Sequence, residues 1–488
     1  MQKRELLASM LGAMEHRGDK KNECRMLKNC LLGAHRLAIV DRENARQPMP
    51  NEDNSIFVVF NGEIYNHGEL RSLLGNHGFR TDSDTEVLVH GYEEWGPDLL
   101  QKLDGQFAFI IYDSRKDVIL AARDPFGIKP FHYAEMDGCM AFASEMKALA
   151  HLNAEEIKVL EPGACFLDGK IHRYFRMQGS KPPEEPGEIK KRLRTLFREA
   201  VRKRVQIDLP VAVLVSGGVD STLVLKYALE CHQDVTAFCV GGNGSEDLSY
   251  ARRVAEYFGV ELKVFDPKMI DVEKELEMFI YFGETFEPNQ VNTLGLSYYL
   301  AKMVHDCGIK VALSGEGADE IFGGYSEFRQ IRSEAELQAR LMEYLRLLHR
   351  TQLQRVDRMS MAHGVEVRVP FLDKELVEYA MGLPPSLKVH NNTTKWILRE
   401  AFRSEVPEFV IGREKCPFPV GAGRRREFEQ DEYAKLVSRL SDGEFSDIRS
   451  AYPEFSIRTK EDAFYFRIFA KYFLKGKFNR ERIGMVAR

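Results

Sequence analysis

The run Pro210-Val211-Ala212-Val213-Leu214-Val215-Ser216-Gly217-Gly218-Val219-Asp220-Ser221 constrains this chain more than any other. It opens as a buried strand, turns through two glycines, and then Ser221-Thr222-Leu223-Val224-Leu225-Lys226 starts a helix. Glycine allows a ligand to approach the backbone closely. The N–H groups at a helix start point outward and carry partial positive charge. The turn is therefore an anion cradle, to which Ser216 and Ser221 add hydroxyls and Asp220 a carboxylate. A carboxylate next to phosphates calls for a metal between them, so phosphate with Mg²⁺ is the expected ligand.

The G-x-x-x-x-G-K-[ST] spacing of a Walker A loop is absent. S-G-G-x-D-S instead resembles the pyrophosphate loop of the N-type ATP pyrophosphatases, which split ATP into AMP and pyrophosphate. One short glycine turn would be an ordinary strand-to-helix connection. A second, longer one follows at Leu313-Ser314-Gly315-Glu316-Gly317-Ala318-Asp319-Glu320-Ile321-Phe322-Gly323-Gly324-Tyr325, now with three carboxylates. Between them, strand patterns at 235–240, 260–265 and 309–313 alternate with helical patterns at 248–258, 271–282 and 293–307. Such alternation predicts an α/β domain with a parallel sheet covered on both faces. Ligands bind such sheets at the carboxyl ends of the strands, where Ser216 and Ser314 both fall.

At 488 residues the chain is long enough for two or three domains. The net charge of −5 implies no polyanion, so no nucleic-acid partner is expected, and Lys190-Lys191-Arg192 and Arg424-Arg425-Arg426 read as solvated faces. No apolar run approaches the roughly 18 residues of a membrane span, and no signal-peptide core opens the sequence; no membrane partner is expected. The eight cysteines are scattered without a C-x-x-C pair. That argues against a zinc site or a disulfide framework and fits a cytoplasmic protein.

The first third reads differently. Residues 1–14 have helical spacing, with Leu6, Leu7, Met10, Leu11 and Met14 on one side. Strands are predicted at 37–41, 56–60, 107–113, 118–124 and 139–144, with Asn61-Gly62 as a tight turn after the second. Ser83-Asp84-Thr85-Glu86 reads as an N-cap leading into a helix at 87–95. Short strands with few helices predict an α+β sandwich. Residues 178–187, rich in Pro, Gly and charge, read as a linker, followed by an amphipathic helix with Ile189, Leu193, Leu196, Phe197, Ala200 and Val201 on one face.

His16-Arg17-Gly18, Phe60-Asn61-Gly62-Glu63-Ile64-Tyr65-Asn66, Ser83-Asp84-Thr85-Glu86-Val87 and Ala122-Arg123-Asp124-Pro125-Phe126-Gly127-Ile128-Lys129-Pro130 resemble class II glutamine amidotransferase domains, specifically those of glutamine-hydrolysing asparagine synthetases. The second glycine turn resembles the signature of the same family, as do 358–373, Thr394-Lys395-Trp396-Ile397-Leu398-Arg399 and Arg413-Glu414-Lys415. The resemblance implies an Ntn-type sandwich lacking its first strand over 1–177, a linker at 178–187, and an adenine nucleotide alpha hydrolase-like ATP-pyrophosphatase domain over 188–488. It implies a glutamine pocket of Arg36, Asn61, Gly62, Glu63 and Asp84. There a carboxylate suits the substrate ammonium and a guanidinium its carboxylate. It implies MgATP bound by Ser216, Gly217, Gly218, Asp220, Ser221, Ser314 and Gly315, with Asp220 and Asp319 as metal ligands. Glu316 would be the general base for an incoming amine, and Lys415 would neutralise pyrophosphate and the adenylation transition state. His363 reads as a structural residue, Arg368 as an inter-helix ion-pair partner, and Glu320 as an N-terminal helix cap.

The expected reaction is adenylation of the aspartate side chain, or of a similar acid, followed by amide formation with ammonia or with nitrogen from glutamine. A different acceptor, or an ATP-binding regulatory protein without activity, are the alternatives; a homodimer is compatible with either. The family's nucleophile is an N-terminal cysteine on a strand beginning Met-Cys-Gly-Ile, whereas this sequence begins Met1-Gln2-Lys3. Neither Cys24 nor Cys30 has a free α-amino group beside its thiol, so two expectations stand: as written the chain lacks glutaminase activity and its glutamine pocket is vestigial, or the sequence has lost its first strand to a wrong start. Two further departures, Val291-Asn292-Thr293-Leu294 and Cys416-Pro417-Phe418-Pro419, are expected beside the acceptor carboxylate.

Overall fold

The computed structural model describes residues 2–19, 23–136, 138–152, 156–177, 185–416, 418–422 and 426–474. Residues 178–184 of the expected linker, Pro417, and Arg424 and Arg425 of the second basic cluster lie outside the described residues.

The first part of the chain is built on strands Ile56–Ile64 and Gly105–Asp113, paired antiparallel from Ile56↔Asp113 to Ile64↔Gly105. They sit inside a six-stranded antiparallel sheet in the spatial order 170–173, 164–167, 118–123, 105–113, 56–64, 49–50. Side chains alternate across a strand. Phe107, Phe109 and Ile111 therefore enter the core shared with helices His67–Leu73 and Glu86–Trp95. Ala108 and Ile110 face the other way, against Tyr133 and Phe142 of a three-stranded sheet and the preceding Phe131. The outer face of that second sheet, with Ala134 and Ala143, packs on Leu6 and Met10 of helix Gln2–Gly12. The stack runs helix, sheet, sheet, helix: the expected Ntn-type sandwich.

After helix Pro186–Arg204, five parallel strands lie in the order 262–265, 235–240, 211–214, 311–313, 366–368. Both faces are covered. Val211, Val213, Ala237 and Cys239 belong to one core, and Ala212, Phe238 and Val240 to the other. Numbered along the chain the order is 3-2-1-4-5, so it reverses between Val211–Leu214 and Val311–Leu313. The loops leaving two such strands diverge to opposite faces and open a crevice. No helix among the described residues is long and apolar enough to cross a membrane.

Three local expectations are corrected. Residues 37–41 form no strand, because side chains take up their peptide groups. Ala38 N donates to Asp19 Oδ1 at 3.0 Å, Ala38 O accepts from Lys310 Nζ at 3.2 Å, and Arg36 Nη2 bonds the carbonyls of Val40 and Asp41. Asn61-Gly62 is not a turn but lies within strand Ile56–Ile64, which stays paired through Ile64. A Cβ on Gly62 would sit 1.9 Å from Gln106 O, so only glycine lets the two strands stay paired there. Nor does Ser83-Asp84 cap the following helix: Ser83 Oγ accepts from Thr85 N, and Asp84 Oδ2 is committed to Ile64 N at 2.9 Å.

The two parts meet through a closed ring of six buried charges. Arg17 lies 2.6 Å from Glu145 and 2.9 Å from Asp357; Asp357 is 3.2 Å from Arg358; Arg358 is 2.7 Å from Glu284; Glu284 is 3.1 Å from Lys147; and Lys147 returns to Glu145 at 2.6 Å. Every member is at most 7% exposed. Burial opposes ionisation of Glu145, yet Lys147, His16 and Arg17 outweigh it and hold its carboxyl well below the usual range. Removing one partner of a buried pair leaves an uncompensated charge, at a cost of about 3–5 kcal/mol. Arg17→Met is expected to destabilise the chain by about that much in urea unfolding. Adding Glu145→Gln should recover part of the loss, and a double-mutant cycle with no coupling would remove Arg17 from the ring.

Candidate active sites

Strand Val211–Leu214 ends at the first glycine turn. Gly217 has φ +75°, and a Cβ there would meet Tyr250 Cβ at 2.5 Å, so the tight turn requires glycine. Ser216 Oγ and Ser221 Oγ lie 3.2 Å apart, and Gly218 N points at Ser216 Oγ at 3.4 Å. Helix Val219–Cys231 then starts with its free N–H groups at the turn. The second turn leaves strand Val311–Leu313 and comes so close that a Cβ on Gly315 would be 3.0 Å from Asp220 Cβ. The switch point thus brings Ser216, Asp220, Ser221, Ser314, Gly315, Glu316, Asp319 and Lys415 around one cavity of about 160 Å³. Apolar residues from the sheet and from helix Pro288–Asp306, among them Val240, Leu300, Ala301 and Val304, line the rest of it.

Asp220 and Asp319 are linked by lysines. Lys395 Nζ lies 2.5 Å from Asp220 Oδ2 and 2.6 Å from Asp319 Oδ1, and Lys415 Nζ lies 2.7 Å from Asp319 Oδ2. Burial would protonate Asp319, but the two ammonium groups hold its carboxyl far below the usual range. Asp220 Oδ1 is buried without a hydrogen-bond partner. An orphaned carboxylate oxygen beside a second carboxylate and an anion cradle fits Mg²⁺ carrying phosphates. Glu316 is held by Arg355, whose Nη2 donates to Oε1 at 2.7 Å while Nη1 donates to Ser297 Oγ at 2.8 Å. Glu320 is no helix cap: helix Ala318–Phe322 has no side-chain cap bond, and Glu320 accepts the Tyr325 hydroxyl at 2.6 Å. Burial and the neighbouring Asp319 push Glu320 up to about 7.

The other five predicted residues also converge. Arg36, Asn61, Gly62, Glu63 and Asp84 line a second cavity of about 150 Å³. Burial pushes both Glu63 and Asp84 upward; Arg368, donating to Glu63 at 2.7 Å, and the Ile64 N–H on Asp84 only partly oppose it. Arg368 is therefore an ion-pair residue as expected, but it sits on the sheet's last strand and joins the two parts of the chain. Among the described residues no cysteine lines this cavity; Cys24 is exposed, and burial raises the Cys30 thiol to about 11. One segment separates the cavities: Met361 and Glu366 face this one, while Ser360, Val365 and Val367 face the ATP-loop cavity. His363 packs on Tyr298 with ring centroids 4.2 Å apart, a structural role.

The reading of Asn292 is corrected. It lies off the cavity, with Nδ2 donating to Glu461 at 3.2 Å and Tyr465 OH donating to its Oδ1 at 3.1 Å. Ser297, Ala301 and Val304 share the cavity face of their helix, and a residue five positions before Ser297 points roughly 140° away. Cys416 and Phe418 do line the cavity. Lys395 is the functional residue that sequence reasoning missed. Its motif was visible, but its place depends on a left-handed φ of +53° and on Gly324, where a Cβ would collide with Asp319 and with Lys395 itself.

A phosphate cradle at the switch point of a parallel sheet, joined to an Ntn-type sandwich with its own polar cavity, defines a two-site nucleotide-dependent amidotransferase class. The chain matches the family model for a glutamine amidotransferase domain over residues 1–185 and that for asparagine synthase over 192–343 and 329–465. It is 35% identical over 496 residues to asparagine synthetase [glutamine-hydrolyzing] 2 of Arabidopsis thaliana, covering 97% of this chain and 85% of that protein. It is also 35% identical over 483 residues to the asparagine synthetase [glutamine-hydrolyzing] of Asparagus officinalis, covering 94% and 81%. The chain belongs to the glutamine-hydrolysing asparagine synthetase family.

Two outcomes follow from the charges at the switch point. Lys395→Met strips Asp220 and Asp319 of their shared cation, and because both keep some exposure the loss should fall at or somewhat below the ~3–5 kcal/mol of a fully buried pair. Urea unfolding should show that loss without Mg²⁺ and part of it restored by Mg²⁺. The second concerns Glu320, whose folded pKa exceeds the ordinary glutamate value. Its contribution is complete below about 4.5 and is lost as pH rises through about 7. Glu320→Gln should flatten stability against pH across that window; an unchanged slope would show that another group sets it.

Proposed function

We propose that this chain forms asparagine from aspartate at the expense of ATP. The observation that carries the reading is the convergence of both glycine turns, two carboxylates and two lysines on one cavity at the switch point. In this reading the backbone N–H groups and hydroxyls of Ser216–Ser221, with Ser314, hold the phosphates, and the apolar wall beside Val240 and Leu300 takes the adenine. Asp220 and Asp319 hold Mg²⁺, which supplies charge neutralisation to the phosphates. Lys395 and Lys415 exchange their carboxylate partners for pyrophosphate oxygens as charge develops at the α-phosphorus. The acceptor carboxylate oxygen attacks that phosphorus, and pyrophosphate leaves. Ammonia then attacks the acyl carbon, Glu316, oriented by Arg355, accepts the proton released, and AMP departs.

The second cavity suits an amino acid zwitterion. Asp84 and Glu63 are buried carboxylates that an ammonium group would relieve, and Arg36 offers a guanidinium. The wall at 360–367 makes passage of ammonia between the cavities the economical reading of their proximity. Eight free thiols fit the reducing cytoplasm.

The test is pyrophosphate release from MgATP with NH₄⁺, with and without aspartate, repeated with glutamine as nitrogen source. Release that requires aspartate and yields asparagine is expected, and Lys415→Met and Asp319→Asn should each reduce it by more than about 100-fold. Bound ATP with no aspartate response would transfer the reading to another carboxylic acid. Glutamine use that survives loss of every cysteine would overturn the thiol-based view of the first site.

A further inference from the structure

The amidotransferase-like part contains a second constellation, none of whose members lines either cavity described above. Glu52 comes from the turn between strands Met49–Pro50 and Ile56–Ile64, His77 from the loop after helix His67–Leu73, and His90 and Glu93 from successive turns of Glu86–Trp95. One ligand atom of each, two imidazole nitrogens and two carboxylate oxygens, lie within 4.8 Å of one another. His77 Nδ1 lies 3.1 Å from Glu52 Oε1 and 3.9 Å from Glu93 Oε2, and His90 Nδ1 lies 3.5 Å from Glu93 Oε2 and 3.3 Å from the other Glu52 oxygen, Oε2. A tetrahedral ion with bonds of about 2.0–2.2 Å has ligand-to-ligand edges of roughly 3.3–3.6 Å.

The second observation is the state of His90. The ring is 1% exposed, yet neither of its nitrogens makes a hydrogen bond of good geometry, and Glu93 Oε2 is likewise buried without one. Buried polar atoms are almost always satisfied; His90 Nε2 faces Glu86, so Nδ1, which faces Glu52 and Glu93, and Glu93 Oε2 are the atoms that mark a missing partner between them. The surroundings are arranged for such a partner. His90 Nε2 faces Glu86 Oε1 at 3.5 Å, and Glu86 is itself pinned by the N–H groups of Arg80 and Thr81 and by the Thr81 hydroxyl. A carboxylate behind a ligating imidazole fixes its tautomer and raises its basicity. Asn51 Nδ2 donates to Glu93 Oε1 at 2.8 Å and Gly78 N to Glu52 Oε1 at 3.1 Å, which orients both carboxylates. Phe79 closes one side edge-on to His90 at 4.7 Å, while Glu52 keeps 36% exposure and leaves a way in.

We propose that Glu52, His77, His90 and Glu93 form a divalent transition-metal site, with Zn²⁺ as the ion. Two neutral imidazoles and two carboxylates match the charge of Zn²⁺ and suit it better than Mg²⁺ or Ca²⁺, which take oxygen ligands. Four protein ligands leave no open position, so the site is structural. It ties the 51–55 turn and the 74–79 loop to the helix that begins two residues after Asp84. The scattered cysteines led to the expectation of no zinc site; that argument reaches only thiolate ligands, and this site needs none.

The full chain, dialysed against chelator, is titrated with Zn²⁺ by calorimetry and with Co²⁺ by visible absorption, in the presence of excess Mg²⁺ to cover Asp220 and Asp319. One equivalent of Zn²⁺ is expected to bind, to displace Co²⁺, and to raise the melting temperature. The Co²⁺ complex should show the intense visible bands of a tetrahedral site. His77→Gln and Glu52→Gln, both at half-buried positions, should fold, keep their ammonia-dependent activity and bind at least about tenfold more weakly. His90→Gln should abolish the bands; if it fails to fold, the other two variants carry the comparison. No stoichiometric binding by the wild type, weak octahedral Co²⁺ bands, or tight binding unchanged in His77→Gln and Glu52→Gln would each overturn the site. These readouts need no turnover, so they stand apart from the proposed reaction.

Discussion

The rest of this structure depends on six charges taken out of water in a closed ring. Three come from the sandwich (Arg17, Glu145, Lys147) and three from the α/β part (Glu284, Asp357, Arg358). A buried pair adds little net stability, because desolvation offsets its Coulomb gain. What a ring adds is registry: each charge has two opposite neighbours, so sliding one part past the other exposes several at once. Lys129 with Glu366 at 2.9 Å and Arg368 with Glu63 at 2.7 Å continue the pattern toward the cavities. The wall at 360–367 follows helix Gln352–Met361, which carries two ring members, so the ring also sets which cavity each wall residue meets.

At the switch point the logic is reversed. Asp220 and Asp319 are brought together not for their mutual stability but in spite of it: Lys395 pairs with both, and Lys395 and Lys415 together hold the Asp319 carboxyl far below its usual range. The arrangement is a preorganised electrostatic site: carboxylates ready for a cation and ammonium groups ready for phosphate, each waiting on the other. Glycine enters where no Cβ fits. Gly217 lets the first turn pass against Tyr250, Gly315 lets the second turn approach Asp220, and Gly324 lets Lys395 and Asp319 come together. A ligand that separates the two charge types can replace the internal ion pairs without leaving either buried and unpaired.

Much of this was legible because the signals are short in sequence. Strand, glycine turn and helix start at 210–221 and 313–325 need only local rules, and strand alternation put the loops at the carboxyl edge. Residues that depend on tertiary geometry were not legible. Lys395 requires a left-handed backbone and a glycine 71 positions away. Asn292 was misread because a motif aligned by sequence ignores helical phase. The strand expected at 37–41 failed because Asp19, Arg36 and Lys310 satisfy its peptide groups before a neighbour can. The turn expected at Asn61-Gly62 failed because a glycine permits a turn but also permits close pairing, and nothing local distinguishes the two.

The same limit explains why a His/Glu constellation escapes a search for spacing. His90 and Glu93 are three residues apart on one helix, an unremarkable pair by itself. Glu52 and His77 join them only because the sheet edge and the loop after His67–Leu73 fold over that helix. Cysteine pairs announce a metal because thiolates cluster in sequence on tight loops, whereas imidazole and carboxylate ligands are contributed by separate elements and become a site only once packed. A buried His90 ring whose nitrogens face carboxylates without forming a hydrogen bond is what separates this group from an ordinary charged surface: polar atoms that burial has made costly persist where something compensates them.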